Sequence, residues 1–60
     1  MGHKFLLRDE VEEVTGLSKS TIRRLERAGN FPKRRLLSQR RVGWVEVEVM
    51  DWISTRNIVV

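Results

Sequence analysis

Nine lysine and arginine side chains stand between Lys19 and Arg41, with one carboxylate, Glu26, among them. Guanidinium groups present planar forks of donors that pair bidentately with phosphate oxygens or with O6 and N7 of guanine. The chemistry open to this stretch is therefore charge-assisted recognition of a polyanion. Residues 19–41 carry a balance of +8 and the remainder −4, giving the total of +4. Solubility alone would be served by mixed signs. Segregated signs build a one-sided field that draws a polyanion to one face.

Other chemistry has few candidates. The chain has no cysteine, hence no thiolate nucleophile, disulfide or thiolate metal site. Ser18, Ser20, Ser38 and Ser54 have no histidine nearby to act as base, and the lone His3 cannot build a metal site. Asp9, Glu10, Glu12 and Glu13 form a solvated row without the apolar pocket a general acid requires. No glycine-rich phosphate loop or metal-ligand spacing occurs. The expectation is a non-enzyme with no catalytic residue, no metal and no cofactor. No apolar run approaches the ~20 residues that span a bilayer, and no secretory signal is visible. The expected location is the cytoplasm, without membrane contact. Sixty residues predict a single domain with a core over about 5–56 and short flexible termini. A chain of this size buries only roughly 60% of its unfolded surface, so its stability should be marginal.

The elements that must position these cations follow from pattern and punctuation. A first helix is expected from about Asp9 to Thr15, its acids complementing the positive end of the helix dipole. Leu7, Val11, Val14 and Leu17 share one side as an apolar stripe, with Asp9, Glu12 and Glu13 facing away. Thr15-Gly16-Leu17-Ser18 reads as the turn of a helix-turn-helix. Ser18 is the expected N-cap of a second helix, which ends at Ala28 with Gly29 as its left-handed C′ residue. On that helix Ile22, Leu25 and Ala28 spread over roughly 120°, and Lys19, Ser20, Arg23, Arg24 and Arg27 occupy the opposite side. Such a stripe is commonly just a solvated face, but the near absence of acids argues against that here.

Pro32 forces Phe31 into an extended conformation. Arg35-Leu36-Leu37 and Val42-Gly43-Trp44 read as two short strands around a tight Ser38-Gln39-Arg40 connection. A hairpin so small must rest on the helices, with Trp44 as its anchor. Trp52, Phe5 and Phe31 are likewise expected to be structural. A third helix is expected over Glu46–Thr55, with Val45, Val49, Trp52 and Ile53 facing the core. Val47 and Met50 fall on its far side, either covered by the wing or forming an apolar patch for a partner. The apolar tail Ile58-Val59-Val60 is expected to be disordered. The fold class is mainly α with a small β-hairpin: a winged helix-turn-helix of three short helices and a two-stranded wing.

A recognition helix leads with its N-terminal residues, so Lys19, Ser20 and Arg23 are the expected groove readers. Arg24 and Arg27 would clamp phosphates, and Thr21 would be a phosphate contact at most. Lys33, Arg34, Arg35, Arg40 and Arg41 would reach adjacent phosphates or the minor groove. Strand side chains alternate, so only some of these five can face DNA, and Arg40 and Arg41 near the tip are favoured.

Several segments, taken in order and spacing, resemble the AlpA family. They are Phe5-Leu6-Leu7-Arg8, Glu10-Val11, Thr15-Gly16-Leu17-Ser18-Lys19-Ser20-Thr21-Ile22, Phe31-Pro32-Lys33, Val42-Gly43-Trp44, Glu48-Val49 and Trp52-Ile53. Members of that family are small phage- and prophage-associated DNA-binding regulators, related to excisionases and to MerR-like winged-helix domains. The resemblance covers roughly residues 5–56. It implies a bacterial or phage protein, found with the nucleoid, that controls transcription of mobile-element genes or acts as a recombination directionality factor beside an integrase. It implies Lys19, Ser20, Thr21, Arg23 and Arg24 in the major groove and the Arg34–Arg41 hairpin in the neighbouring minor groove. Arg23 stands where such proteins often carry an aromatic residue, so the target sequence does not transfer. The expected partner is double-stranded DNA, with self-association on DNA or an integrase contact through Val47 and Met50. The competing reading is a non-specific module for RNA or other polyanions, which lacks exposed aromatics for base stacking.

Overall fold

A computed structural model of the chain describes residues 4–57 and Val59. His3, Ile58 and Val60, and with them the reading of the tail, lie outside the described residues. The elements run β1 (Phe5–Leu6), α1 (Arg8–Thr15), α2 (Lys19–Arg27), β2 (Arg35–Ser38), β3 (Arg41–Val45) and α3 (Glu46–Ser54). This is the three-helix, winged helix-turn-helix architecture, with one addition. The two-residue β1 pairs antiparallel with β3, making the sheet order β1-β3-β2. Phe5 lies opposite Val45 and Leu6 opposite Trp44. Too short for a pattern signal, β1 is held by the partner strand and by the Glu46 N–H, which donates to the Lys4 carbonyl at 2.8 Å.

The first two helices start and stop where their end chemistry dictates. The Leu7 N–H donates to the Glu10 carboxylate at 2.8 Å, satisfying the backbone at the start of α1. Gly16, at φ 73°, ends that helix in a left-handed conformation open to glycine at little cost. The Ser18 hydroxyl oxygen accepts the Thr21 N–H at 3.3 Å as N-cap of α2. At the other end the Gly29 N–H donates to the Glu26 carbonyl and the Asn30 N–H to the Leu25 carbonyl. Those two bonds, with Gly29 at φ 79°, make a Schellman ending that turns the chain toward the wing.

The core is Leu6, Val11, Ile22, Phe31, Trp44 and Val49, with Leu17, Leu25, Trp52 and Ile53 packed around it. Trp44 anchors the wing as expected: it is buried and its indole N–H donates to the Pro32 carbonyl at 3.1 Å. The Trp52 N–H donates to the Asn30 carbonyl at 2.6 Å, and its ring meets Phe31 edge-on at 4.7 Å between centroids. Gly43 is buried, and a Cβ there would come within 2.8 Å of Leu37 Cδ1 and 3.0 Å of the Leu6 carbonyl oxygen. Leu37 of β2 and Leu6 of β1 thus close on β3 at a residue without a side chain.

Three expectations differ in detail, and one left open is decided. Val14 and Leu7 are exposed, because so small a core covers only the centre of the α1 stripe, at Val11. Ala28 is exposed as the C-cap of α2; the buried partner of Ile22 is instead Glu26. Phe5 alternates outward from Leu6 on its strand and is exposed. Val47 and Met50 are exposed too, so the wing does not cover them.

Candidate nucleic-acid interface

The cations are sorted by the elements that carry them. On α2, Ser20, Arg23, Arg24 and Arg27 line one shallow open groove. Ser18, Lys19, Ser20 and Arg23 line a second beside it. The two share Ser20 and Arg23, so the exposed face of α2 is continuous from its first turn to its last. Thr21 is half-buried and its hydroxyl accepts from that of Ser18 at 2.9 Å, which ties it to the cap. Among the described residues, none of the salt bridges engages Lys19, Arg23, Arg24 or Arg27.

The five cations of the wing and its approach separate. Lys33 Nζ donates to the Glu26 carbonyl at 3.0 Å, where a cation satisfies the negative end of α2. Arg35 donates to the Glu48 carboxylate at 2.7 Å and, with Lys33, lines a groove that Glu48 and Asp51 of α3 share. Arg34 turns the other way, toward the cleft beside α2. Arg40 lies in the turn and Arg41 opens β3, both exposed at the wing tip. A register shift between Leu36 and Ser38 bends the strand near that tip, as bulges do.

Two residues that the charge pattern alone passed over organise this surface. Glu26 is buried with 7% relative exposure, yet its carboxylate is satisfied. It accepts the Arg34 N–H at 2.6 Å and lies 3.8 Å from the Arg34 guanidinium. This single acid thereby fastens the approach to the wing onto α2. A signal for it existed, since Glu26 follows Ile22 by four residues and so shares its face. The second is Arg8, at the start of α1. It lines one narrow cleft with Lys19, Arg23 and Arg34, over Ile22, Glu26 and Trp44.

Residues 4–57 match the family described as the prophage CP4-57 regulatory protein (AlpA). The chain belongs to the AlpA family. It is 42% identical over 53 residues to the uncharacterized protein ORF88 of Enterobacteria phage P4, an alignment covering 88% of this chain and 60% of the phage protein. It is 35% identical over 52 residues to the DNA-binding transcriptional activator AlpA of Escherichia coli K12, covering 77% of this chain and 74% of that protein. The chain thus spans about three fifths of the phage P4 relative and three quarters of the E. coli one. Among the described residues, no helix of this AlpA-family chain is long and apolar enough to cross a membrane.

Proposed function

We propose that this chain is a sequence-specific DNA-binding protein of a phage or other mobile element, acting in the bacterial cytoplasm on the nucleoid. In this reading α2 enters the major groove, where Lys19, Ser20 and Arg23 meet base edges. Arg24 and Arg27 clamp the flanking phosphates, and Thr21 lies at the edge of that contact. Arg40 and Arg41 at the wing tip, with Arg34, reach the neighbouring phosphates or minor groove. Lys33 and Arg35 contribute at the rim, Arg35 only by leaving Glu48. The protein works by binding, as a transcription regulator or as a recombination directionality factor, without catalysis.

The observation that carries this reading is the uninterrupted exposed face of α2, on which four cations, without salt bridges among the described residues, flank Ser20. The E. coli relative described as a DNA-binding transcriptional activator supports the regulatory role. Exposed Val47 and Met50, three residues apart on α3, supply the contact to a neighbouring protomer or an integrase. A lone module of this size makes too few base contacts for high selectivity, so such a contact is needed.

The test is a variant with Arg23, Arg24, Arg40 and Arg41 all changed to Gln. Duplex binding should be lost while the circular dichroism spectrum and Tm stay near those of the parent. Retained duplex affinity in the folded variant would overturn the assignment.

A further inference from the structure

The cleft that brings Arg8 to α2 is a place where like charges converge from three elements. Arg8 comes from the start of α1, Lys19 and Arg23 from α2, and Arg34 from the segment before β2. Glu26 is the one acid lining it, and that carboxylate is already engaged by the backbone N–H and guanidinium of Arg34. Among the described residues no salt bridge engages Arg8, Lys19 or Arg23. The floor includes the apolar side chains of Ile22 and Trp44. A cleft of one sign with low-dielectric walls focuses its field on whatever enters it.

We propose that this cleft seats one backbone phosphodiester of duplex DNA, with Arg8 as a phosphate-binding residue. The proposal rests on the DNA-binding reading above and adds a contact from α1 to it. The cleft is narrow, which suits a single tetrahedral anion, and cationic residues from three elements line it. It is also continuous with the recognition surface: Lys19 and Arg23 line both the cleft and the open groove at the start of α2. An anion held there therefore belongs to the same polyanion that lies along α2. Arg8 stands outside the basic run in sequence, and only the fold delivers it.

The experiment compares the parent, Arg8→Gln and Lys4→Gln on a native and a scrambled duplex across a salt series. Lys4 carries the same charge but lies beside Glu46 and does not line the cleft. Loss of one phosphate contact reduces the magnitude of the salt slope by about 0.9, so the affinity lost by the variant is about eightfold greater at 0.1 M than at 1 M salt. Arg8→Gln should show that loss on both duplexes alike, and Lys4→Gln should show neither change. Neutral methylphosphonate linkages, introduced one at a time, should then identify one position that weakens the parent more than it weakens Arg8→Gln. A parental salt slope in Arg8→Gln would overturn the phosphate seat, as would equal methylphosphonate losses in parent and variant at every linkage. If the parent itself bound no duplex, the DNA-binding reading would fall with it. Binding by the parent with Arg8→Gln indifferent removes only the seat.

Discussion

Glu26 shows how one side chain can set the geometry of a surface built from charges of the opposite sign. Its carboxylate oxygen takes the Arg34 N–H at 2.6 Å, in a segment with no regular secondary structure to satisfy that donor. Removing the acceptor strands a part-buried N–H, which costs about 1–3 kcal/mol. Glu26→Ala should therefore lower stability by that amount in urea unfolding, whereas Glu26→Gln, which keeps an amide oxygen in place, should lose less. Equal stability of the alanine variant would contradict the role given to this residue. From sequence Glu26 looked like the exception in a basic run. Its face was readable from the spacing to Ile22, but not its partner, because the bond joins residues eight apart across an irregular segment. The cap residues Ser18 and Gly29 were legible because each answers to backbone geometry within a few residues.

Among the elements, α2 was the most readable, since a single helical period separates its cations from Ile22 and Leu25. The wing was readable as a hairpin from its strand residues and turn, and Trp44 as its anchor. Its charges were not, because contacts distant in sequence decide them: Arg35 is held by Glu48, thirteen residues away, and Lys33 by the Glu26 carbonyl. β1 was missed because two residues are too few to carry a period. On α3 the far-side position of Val47 and Met50 was evident, and the fold leaves both exposed. In the proposed reading this pair, one turn apart, is the apolar contact offered to a neighbouring protomer or an integrase. Changing both to Ser should abolish cooperative binding on a duplex with repeated half-sites while single-site affinity holds. An unchanged Hill slope would remove the partner contact from the account.

At the scale of the whole molecule, folding turns a linear charge asymmetry into an oriented one. The basic face of α2 and the cleft with Arg8 share Lys19 and Arg23, and Arg34 joins that cleft from the approach to the wing, while Glu46, Glu48 and Asp51 sit on α3. The core behind this surface is small, so the stability that holds it in shape is marginal. The central claim is that this surface recognises a particular duplex rather than negative charge in general. Its most direct test is fluorescence-anisotropy titration of the protein with duplexes from the DNA flanking its own gene, beside a scrambled duplex and single-stranded RNA, over a salt series. The account predicts a preference of ~1000-fold or more for one native duplex, with a salt slope of about −3 to −6 for roughly four to six neutralised phosphates. Equal affinity for every polyanion would contradict it and leave the basic face as an electrostatic platform.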